Sequence, residues 1–144
     1  MTVYEMKLEP LCEVVAYVAP PIPVGSSSWG IRLIFPVLEG TVKGPKLNGK
    51  IRPFGADWGI IRADNCLEVD VRIVIETDDG AFIHTCYRGI VAMTKEQVDK
   101  FLAGELPTGL SLYITARFET SHEKYQWLTQ IQVVGPRGCG TGRG

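Results

Sequence analysis

An all-β fold, an antiparallel β-barrel of about eight strands with one short helix, is the architecture this sequence predicts. Three observations predict it. Several stretches of strand length alternate apolar with polar residues, turn-forming residues separate them, and one segment alone joins a capping signal to a helical apolar stripe. The 144 residues, 45% hydrophobic and 22% charged, suit one domain with one core. Residues 1–135 are predicted as the barrel domain and 136–144 as a flexible Gly-rich tail.

The elements follow in chain order. Leu11 to Ala19 is apolar and β-branched and reads as the first strand. The run from Pro20 to Gly25 stops it, because proline donates no ladder hydrogen bond, and Ser26 to Ser28 reads as loop. Ile31 to Leu38 is the next strand, with Pro36 marking an edge or a bulge. Gly49 to Phe54 and Trp58 to Arg62 are short strands. Cys66 to Thr77 is the clearest: Leu67, Val69, Val71, Ile73 and Ile75 share one face, and Glu68, Asp70, Arg72 and Glu76 the other. Asp78-Asp79-Gly80 makes a tight turn into the return strand Ala81 to Val91. Thr94 and Gln97 form a capping box, Val98, Phe101 and Leu102 an apolar stripe, and Gly104 ends that helix. Leu112 to Thr120 and Tyr125 to Val134 are predicted as a last hairpin.

Composition excludes several partners. A net charge of −1 without a basic stretch argues against nucleic acid. No apolar run approaches the ~20 residues that cross a bilayer, and Met1 to Glu9 lacks the basic-then-apolar pattern of a signal peptide. A cytoplasmic protein is expected. Cys12, Cys66, Cys86 and Cys139 include no Cys-x-x-Cys pair and have only His84 and His122 as companions, so no metal is expected. Cys12 and Cys86 read as buried inert thiols and Cys139 as a free thiol in the tail. The phosphate-binding glycine motifs are absent, and no cofactor is predicted.

What remains is charge inside strands. Asp70 and Arg72 share a face, Arg88 lies in the neighbouring strand, and Tyr113, Thr115, Arg117 and Glu119 share a face of a later one. Such residues mark either the solvated outside of a sheet or a polar lumen. Arginine suits the second reading, as the better partner for buried carboxylates. Asp57 follows Gly55-Ala56 and precedes Trp58, which makes it either an acid–base group beside an aromatic or a turn residue beside a core tryptophan. His84 is either a proton shuttle or a structural strand histidine. On the functional reading Asp57, Arg72 and Arg117 converge on a cavity beside Trp58.

The runs Gly40-Thr41-Val42-Lys43-Gly44-Pro45, Gly55-Ala56-Asp57-Trp58, Asp70-Val71-Arg72 and Thr77-Asp78-Asp79-Gly80, with Arg117-Phe118-Glu119-Thr120 and Tyr125-Gln126-Trp127-Leu128, together resemble the domain of unknown function 3237 family, the UPF0311-like proteins. Order and spacing match from about Leu8 to Gly135. The resemblance implies an allene-oxide-cyclase-like β-barrel, a homo-oligomer such as a homodimer, and a barrel type that hosts cofactor-free cyclisation and isomerisation. Its pattern points to Asp57, Trp58, Asp70, Arg72, Arg88, Arg117, Glu119 and Trp127. Glu39, Tyr87 and Thr129 depart from the family's more usual Gly, Asn and Asn, and Tyr87 and Thr129 would alter a pocket's polarity.

The leading functional expectation is a cofactor-independent isomerase or cyclase acting on a small, mostly apolar secondary metabolite, polyketide- or terpenoid-like, within a barrel cavity. Asp57 or His84 would move a proton, and Arg72 or Arg117 would stabilise an enolate or carboxylate. Trp58, Asp70, Tyr87, Arg88, Tyr113, Glu119 and Trp127 are the expected substrate contacts. The alternatives are a lipocalin-like carrier with the same pocket and an assembly module with a filled barrel.

Overall fold

The computed structural model describes residues 2–105, 110 and 112–137. Alternation of apolar and polar residues produces nine strands: β1 Glu13–Val18, β2 Ile22–Ser27, β3 Gly30–Lys43, β4 Gly49–Ile51, β5 Ala56–Ile61, β6 Cys66–Thr77, β7 Phe82–Ala92, β8 Leu112–Glu119 and β9 Val133–Arg137. All nine join one antiparallel sheet. β1 and β2 pair in succession along one side of β3, and β4 and β5 lie in succession between β3 and β6. The sheet is therefore a meander in which β4 and β5, end to end, fill one strand position between β3 and β6, and β6, β7, β8 and β9 pair in sequence. Helix α1, Lys95–Leu102, begins at Thr94 with the predicted capping box. Among the described residues no helix is long and apolar enough to cross a membrane.

One face of the sheet forms the core. Val71, Ile73 and Ile75 of β6 and Ile83 of β7 are almost wholly enclosed. Val98 of α1 is buried there too, and Phe101 packs against Phe35 with ring centroids 6.0 Å apart. Glu68, Asp70, Arg72 and Glu76 stand on the opposite face, as the period of two requires.

Two segments depart from the sequence reading. The prolines after Ala19 interrupt the first strand but do not end it: Ile22–Ser27 pairs with β3 as β2, with a register shift between Pro23 and Gly25. Proline is tolerated there because β2 borders β3 on one side only. The segment predicted as a strand from Tyr125 is instead a 3-10 helix, Glu123–Gln130, and β9 starts only at Val133. Tyr125 and Leu128, three residues apart, bury on one side of it, which matches three residues per turn. The β6–β7 turn anchors this helix: Asp79 accepts hydrogen bonds from Lys124 Nζ (2.6 Å), Thr77 Oγ1 (2.6 Å) and Tyr125 Oη (2.8 Å). Led by Lys124, these donors hold the Asp79 carboxyl far below the ordinary carboxylate range. β9 continues to Arg137, past the expected domain end at 135. The rest of the tail, with Cys139, lies outside the described residues.

Candidate functional site

The sheet loses its regularity along one row. Ala19-Pro20-Pro21 separates β1 from β2, Pro36 sits within β3, and Arg52 to Gly55 separates β4 from β5. Arg52 N–H donates to Val74 O, and Ala56 pairs with Arg72, so Pro53, Phe54 and Gly55 together face Ile73 alone. Gly55 is required by proximity: a Cβ there would stand 2.4 Å from Arg72 O. Phe54 holds a left-handed backbone (φ 81°) while 99% exposed.

Just beyond this bulge the β5–β6 ladder opens. Asp57 pairs with Val71 and Ile60 with Glu68, but the pairing lapses at Trp58 and Gly59. Two charged side chains occupy the gap. Asp57 Oδ1 accepts from Asp70 N–H at 3.0 Å, and Arg32 Nη1 donates to Trp58 O at 2.9 Å. Both satisfy backbone groups that would otherwise lack ladder partners. Asp57 is only 4% exposed and lies on the core face, opposite Phe35 and Val71.

On the other face a pocket of about 360 Å³ is lined by Arg32, Ile34, Trp58, Asp70 and Arg72. The Arg72 guanidinium carbon lies 5.8 Å from the Trp58 ring centroid, a cation–π approach. Arg72 Nη2 is 3.9 Å from Asp70 Oδ2, and Arg88 Nε is 3.5 Å from Asp70 Oδ1. Two guanidiniums, those of Arg72 and Arg88, thus flank the Asp70 carboxylate, and Arg32 lines the same pocket beside an indole and an aliphatic wall. The excess positive charge suits an anion, and the wall suits an apolar body.

Trp58, Asp70, Arg72 and Arg88, each expected from the sequence, are brought together. His84 and Glu119 form a second group on this face, with Nδ1 3.8 Å from Oε2. Arg117 stands opposite Cys86, next to that group, and Tyr113 stands opposite Ile90 toward the other end of β7. The expected convergence of Asp57 with Arg72 and Arg117 does not occur, because alternation sends Asp57 through the sheet to the core side. Tyr87 packs against the core cluster. Trp127 lies on the 3-10 helix, its ring centroid 5.9 Å from Lys46 Nζ. The polar face is the solvated outside of the sheet rather than a lumen: the Arg88 and Glu119 side chains are exposed. Sequence reasoning missed Arg32 and Ile34. The available signal was Arg32 itself, the lone charge in the apolar run from Ile31 to Leu38.

Comparison with known proteins places the chain. A family model described as "Protein of unknown function (DUF3237)" matches residues 6–143. A UPF0311 protein of Rhodopseudomonas palustris is 40% identical over 113 residues, 77% of this chain and 74% of that protein. A protein of unknown function from Clostridium acetobutylicum superposes with a TM-score of 0.82 at 32% identity, over 90% of this chain and 89% of its own. A protein from Acinetobacter baumannii described as β-barrel-like superposes at 0.69 with 32% identity, over 95% and 93%. An enzyme from Penicillium herquei shares the fold alone, with a TM-score of 0.61 at 22% identity over 92% and 87%. The fold is therefore an antiparallel, barrel-like β fold with nine strands among the described residues.

Proposed function

The chain belongs to the family of proteins of unknown function designated DUF3237, and from that premise we propose that it is a cofactor-independent isomerase or cyclase acting on a small, mostly apolar metabolite that carries an anionic group or forms one as it reacts. One observation carries the reading: Arg32, Arg72 and a single carboxylate, Asp70, line one pocket with Trp58 and Ile34, and Arg88 reaches that carboxylate from the neighbouring strand. Guanidiniums fixed beside an apolar surface stabilise an enolate or carboxylate oxygen as charge develops on it. Asp70 is the group within the pocket able to take a proton from a carbon next to a carbonyl and return it elsewhere. Trp58 and Ile34 offer the apolar body of the substrate a wall, and the cation–π contact with Trp58 positions the Arg72 guanidinium. Asp57 acts from the core side, keeping the Asp70 backbone in place through its hydrogen bond. The fold-level likeness to a protein described as an enzyme is consistent with catalysis on this scaffold and identifies no reaction.

Benzoylpropionate, an aryl ketone with a carboxylate, is a direct probe. In deuterated water the protein is expected to bind it, seen as broadening of its proton resonances. Exchange of the protons next to its ketone should also be accelerated. Arg72→Met should abolish binding. Asp70→Asn should leave binding in place and abolish the accelerated exchange. Binding without any exchange would make this pocket a carrier site, and exchange unaffected by Asp70→Asn would remove Asp70 from the chemistry.

A further inference from the structure

Outside the pocket lining, the same sheet face places a nucleophile beside a base. His84 and Cys86 are two residues apart on β7 and so share a face. Cys86 Sγ lies 3.7 Å from His84 Nε2 and 3.9 Å from Nδ1. Glu119, across the ladder from His84, brings Oε2 to 3.8 Å from Nδ1. The sulfur is nearly equidistant from the two ring nitrogens and so lies beside the imidazole; a turn of the exposed His84 ring brings Nδ1–H onto the carboxylate and Nε2 onto the thiol. Register sets Arg72 on one side of Cys86 and Arg117 on the other. Cys86 is half-buried and His84 and Arg117 are exposed, so small molecules can reach the group.

We propose that Cys86 is a nucleophilic thiol, with His84 as its base and Glu119 orienting the imidazole, that captures α,β-unsaturated carbonyl compounds bearing an anionic group. The thiol proton passes to His84 Nε2 and the sulfur forms a bond to the β-carbon. The electron pair of the carbon–carbon double bond moves into an enolate, and the imidazolium returns its proton to the α-carbon. No group leaves, and no oxidant or reductant is consumed. The two arginines supply the anion preference, since each carries a fixed charge to one flank of the sulfur. The other described cysteines lack this setting: Cys66 stands opposite Ala92 at the start of β6, and burial pushes the Cys12 thiol up. The inference shares Arg72 with the pocket, but its nucleophile and base, Cys86 and His84, lie outside the pocket lining, so the two chemistries can fail separately.

The test uses the full chain with benzoylacrylate and with its uncharged methyl ester. Adduct formation at each cysteine is followed by peptide mass mapping, and each rate is divided by the reagent's rate with free glutathione. Cys86 should be labelled about a hundredfold faster than Cys12 and Cys66, the lower end of what a positioned base gives. After that normalisation the acid should outpace the ester. His84→Asn should slow Cys86 labelling about a hundredfold with the circular dichroism spectrum and melting curve unchanged. Arg117→Gln should remove the preference for acid over ester. Labelling of Cys86 no faster than Cys66, or undiminished in folded His84→Asn, would overturn the proposal. Equal normalised rates for acid and ester in the unaltered protein would remove the anion preference and with it the role of the arginines.

Discussion

β6 and β7 pair without interruption from Cys66↔Ala92 to Glu76↔Phe82, whereas β5, on the other side of β6, bulges at Pro53 to Gly55 and opens at Trp58. Both regions contact the same strand. The first meets every backbone group with another backbone group, and its side chains split cleanly between core and solvent. The second leaves backbone groups to charged side chains, and it is there that Arg32, Trp58, Asp70 and Arg72 gather around a pocket. The contrast teaches that the regular hairpin holds the scaffold, while the irregular strand beside it shapes the site.

The sharpest separation comes from the regular side. Ile83 is fully enclosed on β7 opposite Ile75. Ile83→Ala is expected to lower stability by about 3 kcal/mol, the combined loss of apolar transfer and an unfilled cavity. Binding of benzoylpropionate per folded molecule should not change, because the pocket lies on the opposite face. Denaturant unfolding checks the first part and titration of the folded variant the second. A large loss of affinity at full folding would mean that the two faces are coupled and the contrast is false.

Next in size is Asp57, on the irregular side. Asp57→Ala removes the acceptor for Asp70 N–H and should cost about 2 kcal/mol, the scale of a charge-assisted hydrogen bond lost in a buried place. It should also weaken binding, since Asp70 and Trp58 lose their support. Asp57→Asn retains an oxygen that can accept and should restore most of both. Thermal unfolding and probe binding, measured on each variant, decide the matter. Should Asp57→Asn keep its stability and yet lose proton exchange, Asp57 would be acting on the substrate itself.

Legibility in the sequence follows the same division. The period of two in β6 was readable because each residue from Leu67 to Ile75 obeys it, and the β6–β7 turn and the α1 capping box carry strong local chemistry. Asp70, Arg72 and Arg88 were readable as a group because face alternation and the tight turn set their register, and Trp58 joined them through the family resemblance. Asp57 was misplaced. Its local pattern announces an acid beside a tryptophan, but alternation within β5 puts Asp57 and Trp58 on opposite faces, and the pairing with Val71 that gives Asp57 the core side is not written in that local pattern. Tyr125 to Gln130 was misread because tertiary anchoring by Asp79 and burial of Tyr125 and Leu128 outweigh a β-rich local pattern. The Cys86–His84 contact had a signal in their i, i+2 spacing; its partner Glu119 comes from a strand more than thirty residues away in the chain.

The smallest expected effect bears most directly on why the irregular strand persists. Phe54 combines a left-handed backbone with a side chain that is 99% exposed, so the folded chain bears steric strain at this residue and recovers almost no burial from it. Strain of this kind costs about 1 to 2 kcal/mol for a residue with a Cβ. Phe54→Gly removes that strain, and the greater freedom of glycine in the unfolded chain offsets up to about 1 kcal/mol of the gain. The variant is therefore expected to be more stable by about 0.5 kcal/mol, read as a small upward shift of the denaturant midpoint with an unchanged slope. A stabilising loss of an exposed aromatic would show that the bulge keeps Phe54 at the expense of stability, which is the behaviour of a residue retained for contact with something other than its own core. If Phe54→Gly instead destabilises the protein, the phenyl ring contributes to packing of the bulge, and the irregular strand is part of the scaffold after all.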